Sequence, residues 1–129
     1  MDSLYRDYIL DHYRNPRNYG TLENPDLSYE DDNPLCGDRV RMDFKIRDGR
    51  IEQVRFSGQG CAISQASASM LTEMVEGKTL DEVKQIDKED VLENLGIPIS
   101  PARLKCALLA LKVLKAGIYG IKGWPGEEQ

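Results

Sequence analysis

Apolar residues near the start of the chain recur at helical spacing: Leu4, Tyr5, Tyr8, Ile9, His12 and Tyr13 share a stripe. The pattern predicts a first helix that Asp2 or Ser3 can cap. Asn15-Pro16 should end it, because the residue before a proline is pushed out of helical geometry. Residues 16 to 35 show no period and carry Pro16, Pro25 and Pro34. They read as irregular, with a short edge strand at Leu27-Ser28-Tyr29 and the acidic run Glu30-Asp31-Asp32 as a solvated loop. Strict alternation follows. Val40, Met42, Phe44 and Ile46 face one way, and Arg39, Arg41, Asp43, Lys45 and Arg47 the other. Asp48-Gly49 predicts a two-residue hairpin turn. The return strand, Ile51 to Phe56, is out of phase at Ile51, which implies a bulge.

The second half reads as helical. Ser57-Gly58-Gln59-Gly60-Cys61 is a glycine-rich turn, followed by a helix to Glu76 with an apolar stripe of Ile63, Ala66, Met70, Leu71, Met74 and Val75, and Gly77 as its cap. Thr79 and Glu82 form a capping box, and Asp87 can cap a further helix that ends at Gly96. Ser100-Pro101 reads as cap plus first helical residue of a largely buried helix to Ile118. The order of helix, hairpin, then helices predicts an α+β fold, a small antiparallel β-sheet with helices packed on one face. Residues 1–118 form its single domain, and 119–129 a flexible C-terminal tail that includes Trp124.

Composition narrows the function. In 129 residues, 17 Lys and Arg face 22 Asp and Glu, a net charge of −5 that disfavours nucleic-acid binding. The apolar run Ala107 to Leu111 is far too short to span a membrane, and Met1-Asp2-Ser3-Leu4 does not resemble a secretory signal. The expectation is a cytoplasmic protein that meets neither nucleic acid nor membrane, in a compartment where cysteines serve as ligands, nucleophiles or packing residues.

The three cysteines carry the candidate chemistry. Cys36 and Asp38 are separated by Gly37, a spacing that brings a thiolate and a carboxylate within reach of one cation. Cys61 stands between Gly60 and a helix start, and Cys106 lies in the second turn of the last helix near Arg103 and Lys105. Helix starts and neighbouring cations both favour thiolate. No Cys-x-x-Cys pair and no Cys-x5-Arg loop is present. His12, the one histidine, lies on the apolar stripe of the first helix and reads as a core or interface histidine rather than as a partner for a nucleophilic cysteine.

Four segments make the chain recognisable: Asp11-His12-Tyr13-Arg14-Asn15-Pro16-Arg17-Asn18, Cys36-Gly37-Asp38, Gly60-Cys61-Ala62-Ile63-Ser64 and Arg103-Leu104-Lys105-Cys106. Over residues 4 to 118 the sequence resembles the U-type iron–sulfur cluster assembly scaffolds, IscU and its relative SufU, with a SufE/NifU-like fold. The resemblance implies that Cys36, Asp38, Cys61 and Cys106 converge on one exposed site. There the family accepts sulfur from a cysteine desulfurase, with Cys106, Cys36 and Cys61 as acceptor candidates, builds a labile [2Fe–2S] cluster, and passes it to recipient apo-proteins. A carboxylate is a harder, weaker partner for a cluster than thiolate, so it eases release. Arg103 and Lys105 would offset the charge of the loaded site. A homodimer is compatible with this reading.

Two features depart from the scaffold type. Lys105 replaces the histidine that many scaffolds carry before the third cysteine, as in the SufU branch, whose members bind Zn²⁺ at these residues and relay sulfur. The insertion that branch usually carries before the third cysteine, about twenty residues long, is nevertheless absent between Cys61 and Cys106. In place of the Leu-Pro-Pro-Val-Lys stretch that a chaperone reads in scaffold members, this chain has Ile97-Pro98-Ile99-Ser100-Pro101-Ala102-Arg103. The resemblance thus implies a scaffold, with a zinc-dependent sulfurtransferase as the alternative.

Overall fold

The computed structural model describes residues 2–34, 37–121 and 123–125, with the side chains of Asp2 and Ser3 excepted. The elements run in the order α1 (Asp2–Arg14), β1 (Leu27–Asn33), β2 (Asp38–Arg47), β3 (Arg50–Gln59), α2 (Ala62–Val75), α3 (Leu80–Lys84), α4 (Lys88–Leu95) and α5 (Leu104–Tyr119). The strands form one antiparallel sheet in the order β1-β2-β3. Helices α2 and α5 pack on this sheet and on each other, and α1 packs on α2. The α+β architecture expected from the pattern is therefore present.

The core grows from that alternation. Val40, Met42 and Phe44 of β2 and Ile51, Val54 and Phe56 of β3 are fully buried against Ala66, Met70 and Leu71 of α2 and Leu109, Leu111 and Leu114 of α5. Burying each large side chain contributes about 1.5–3 kcal/mol. The Asp48-Gly49 turn has φ of 53° and 72°, the positive pair a type I′ hairpin requires. The bulge lies where the phase break placed it. Ile46 pairs with Ile51 while Lys45 pairs with Gln53, leaving Glu52 as the extra residue.

Four readings need correction. The acidic run is not a loop: Glu30, Asp31 and Asp32 belong to β1, paired with Arg41, Val40 and Arg39. The cross-strand arginines and the Lys112 ammonium, which pairs with Asp31, let acidic residues occupy a strand. Ser57, Gly58 and Gln59 continue β3 rather than forming a turn. Asp43 does not face solvent; it is 1% exposed. Burial pushes its carboxyl up. Hydrogen bonds from Ser28 Oγ, Leu22 N–H and Arg41 Nε outweigh that and hold it below the usual carboxylate range. Ser100 and Pro101 are cap position and first residue as read, but of a 3₁₀ turn, Pro101–Arg103, that leads into α5, and the Ser100 side chain makes no cap hydrogen bond.

The capping boxes at Thr79/Glu82 and Asp87/Asp90 are both formed, the first where Thr79 and Glu82 predicted it. Gly77 stands one residue past the α2 cap Glu76, in a turn closed by Lys78 N–H to Val75 C=O. Residues 16–26 are irregular but anchored, for Arg17 N–H donates to Ser69 Oγ, Asn18 Nδ2 to Thr72 Oγ1 and Asp26 N–H to Phe44 C=O.

His12 is a core residue, 1% exposed, with Nδ1 2.7 Å from Ser69 Oγ and Nε2 3.7 Å from Glu73 Oε1. The contacts to Ser69 and Glu73 fasten α1 to α2, and the ring meets Tyr8 of its own helix edge-on at 4.7 Å. Burial, seconded by Arg17, lowers its pKa and favours the neutral ring.

Candidate functional site

Three of the four ligand candidates meet at one end of the sheet. Asp38 opens β2, Cys61 is the N-cap residue of α2, and Cys106 lies in the first turn of α5. One donor atom from each lies within 4.8 Å of the other two. Cys36 lies outside the described residues.

Each element brings its residue there for a local reason. Asp38 pairs in register with Asn33 at the closed end of the β1–β2 hairpin and is 1% exposed. Its Oδ1 accepts the Cys61 N–H at 2.9 Å, so a strand carboxylate occupies the N-terminus of α2, where the helix dipole favours an anion. The Cys61 side chain makes no cap of its own, and its Sγ lies 3.8 Å from Asp38 Oδ2. Gly60 makes this approach possible. It holds φ +151°, and a Cβ there would lie 2.3 Å from Asp38 Oδ1. Cys106 is 2% exposed, on a helix tied to α2 by Ser67 Oγ donating to Ala107 C=O at 2.7 Å.

An open cavity of about 360 Å³ lies over these groups, lined by Asp38, Gly60, Cys61, Ala102, Arg103 and Cys106. Arg103, an exposed residue, thus borders the donors. Lys105 does not line the cavity; its ammonium lies 5.1 Å from the Trp124 ring centroid. Trp124 packs against the core. The role of Gly60 as the seat of the Asp38 carboxylate was not legible beforehand, although its place directly before Cys61 was the available signal.

The donor set suits a soft or borderline cation. Bonds of about 2.0–2.3 Å in a tetrahedral zinc site space the donors about 3.3–3.8 Å apart, and Cys61 Sγ lies 3.8 Å from Asp38 Oδ2. Cys61 and Cys106 are not joined to each other in a disulfide. Among the described residues no helix is long and apolar enough to cross a membrane.

A three-stranded sheet backed by helices, with two thiols and a carboxylate gathered at its end, defines a small α+β domain with a donor group that could hold a metal ion at an open surface. The chain belongs to the family of the NifU-like N terminal domain, whose profile matches residues 4–127. It is 38% identical to the zinc-dependent sulfurtransferase SufU of Bacillus subtilis (strain 168), over 95% of each chain. It is 39% identical to the iron–sulfur cluster assembly scaffold protein IscU of Escherichia coli (strain K12), over 92% of this chain and 94% of that one. Among solved structures it is similar to a candidate SUF-system scaffold from Fervidobacterium islandicum AW-1 (TM-score 0.74, 31% identity, 86% of this chain and 93% of that one). It is also similar to a NifU-like N-terminal protein from Brucella abortus (TM-score 0.71, 27% identity, 88% and 90%).

Alignment lengths separate the two curated relatives. The SufU match runs over 140 positions but occupies 95% of 129 residues, about 123, so about 17 positions have no counterpart here. The IscU match runs over 122 positions and occupies 92%, about 119 residues, so it is nearly gap-free on this side. In length the chain follows the scaffold.

Proposed function

We propose that the protein is an iron–sulfur cluster assembly scaffold. It accepts sulfur from a cysteine desulfurase, assembles a labile [2Fe–2S] cluster on Cys36, Asp38, Cys61 and Cys106, and passes it to recipient apo-proteins. The observation that carries this reading is the convergence of Asp38, Cys61 and Cys106 from three separate elements, donor atoms within 4.8 Å, beneath an open cavity. A structural metal site is normally closed by its ligands; a mouth of this size suits cargo that must enter and leave. Cys36, two positions before Asp38, is assigned as the fourth ligand.

The roles follow from placement. A thiolate of Cys106, Cys61 or Cys36 attacks the outer sulfur of the donor's persulfide, and the donor cysteine leaves as thiolate. Asp38, held by the Cys61 N–H, supplies the one hard ligand and so the weak point from which the cluster departs. Arg103 offsets the charge of the loaded site from its rim. We place the protein in the reducing cytoplasm, where thiols are kept reduced.

A second reading, a zinc-dependent sulfurtransferase, is favoured by Lys105 and by the 38% identity to SufU. Its ligands would be the same residues. Anaerobic purification after co-expression with a cysteine desulfurase, followed by iron, zinc and acid-labile sulfide analysis, decides between them. Iron and sulfide in equal amounts with little zinc support the scaffold. Stoichiometric zinc without sulfide, together with faster desulfurase turnover, overturns it in favour of sulfur transfer.

A further inference from the structure

Trp124, the chain's one tryptophan, packs against the core with two ammonium groups over its ring: Lys105 Nζ at 5.1 Å and Lys112 Nζ at 5.0 Å from the centroid. Both lysines lie on α5, seven residues apart and so on one face of the helix. Their circumstances differ. Lys112 also pairs with Asp31 of β1. Lys105 enters no ion pair among the described residues. It directly precedes Cys106, yet its side chain is absent from the lining of the cavity over the donors.

We propose that Trp124 is a positioning residue that holds the Lys105 ammonium away from the Asp38–Cys61–Cys106 donors and so keeps them available to a metal. The inference rests on the reading of those three residues as metal donors. A lysine ammonium on a four-carbon stem seeks the nearest anion when nothing else holds it. Here the candidates are the Asp38 carboxylate and the sulfur atoms that a metal needs in their deprotonated form. An ammonium resting on them must be displaced before a cation binds. The face of an indole is the strongest aromatic seat for such a cation, and its attraction at a partly exposed site corresponds to about a two- to fivefold change in an equilibrium. The tail thereby becomes part of the site without touching the metal.

The test uses the full-length, metal-free protein titrated anaerobically with Co²⁺ alone, read by the thiolate-to-cobalt absorption band, for wild type, W124L, W124F, K105M and the W124L/K105M double variant. Trp124→Leu is expected to weaken Co²⁺ binding about two- to fivefold, and Trp124→Phe, which keeps an aromatic face, to lie close to wild type. Removing the lysine should rescue the lesion, so that the double variant binds like K105M. In the metal-free chain K105M should also change the emission of Trp124, a readout that needs no metal and stands even if W124L fails to fold. The inference is overturned if W124L binds like wild type, if W124L is equally weak with and without Lys105 (a packing role), or if K105M leaves the emission unchanged. Absence of the cobalt band in wild type would overturn the reading of the donors, and this inference with it; a normal wild-type band with an unaffected W124L overturns the inference alone.

Discussion

Replacing Gly60 by alanine places a methyl carbon 2.3 Å from Asp38 Oδ1 and 2.8 Å from its Cγ. Neither side can yield without loss. Asp38 is buried at the start of β2, and its Oδ1 is the acceptor for the Cys61 N–H. The residue must also keep φ at +151°, which side chains rarely adopt. Backbone strain of this kind costs about 1–3 kcal/mol. Losing a hydrogen bond to a charged acceptor costs about 1.5–3 kcal/mol. Together they predict a loss of about 3–5 kcal/mol, a large part of a typical domain's stability, and a Tm lower by about 10–20 °C. Gly120 is the control, with φ +72° and nothing within 4 Å of an added Cβ. Gly120→Ala carries strain alone, about 1–2 kcal/mol. Urea denaturation of the metal-free chains measures both, and a Co²⁺ titration of folded Gly60→Ala should show a weakened site. A Gly60→Ala variant that loses no more stability than Gly120→Ala would refute the claim that this glycine seats the carboxylate.

Asp38→Ala should leave an anaerobically assembled cluster longer lived against a chelator, and a lifetime no longer than wild type would remove Asp38 from its role in release. Stability should fall as the pH drops below about 6.5, because the unfolded chain takes up a proton on His12 there while burial keeps the folded ring neutral to lower pH. The loss ceases once the pH is below the folded value; urea midpoints measured across this range should be flatter in His12→Asn. Thr79→Ala removes the side-chain acceptor for Glu82 N–H and should cost about 1 kcal/mol by urea denaturation, with no effect on metal binding. Ser67→Ala breaks the tie to Ala107 C=O between the two helices that carry Cys61 and Cys106. It should cost about 1 kcal/mol in the same assay and broaden the cobalt spectrum.

The fold was legible where one signal dominated. Alternation gave β2, the Asp48-Gly49 pair its turn, and the phase break at Ile51 the bulge, because each depends on residues adjacent in sequence. Two of the misreadings share a cause: both concerned acidic residues whose setting is decided by distant partners. Glu30, Asp31 and Asp32 lack strand propensity, but Arg39, Arg41 and Lys112 stand opposite or beside them. Asp43 sits at an outward position of the alternation, but the irregular segment before β1 satisfies it through Leu22 N–H, and its β1 cross-strand partner Ser28 donates to it as well. A chain segment with no period offers no warning that it will cover a sheet position.

The site divides along the same line. Its candidate donors were legible as residue types, and the helix start at Cys61 follows from a local signal. Its geometry was not. That Asp38 would cap α2 from a strand, that Gly60 would be the residue allowing it, and that Lys105 would turn to Trp124 all depend on contacts across 19 to 23 residues of sequence. Those contacts also explain why the site can be both fixed and open. Asp38 is held by backbone, so it needs no metal to stay in place; Cys61 spends no hydrogen-bonding capacity on capping its own helix; and Cys106 is anchored through the helix-to-helix bond beside it. Donors placed by the fold rather than by the bound ion are what a protein requires if it is to remain folded after its cargo has gone.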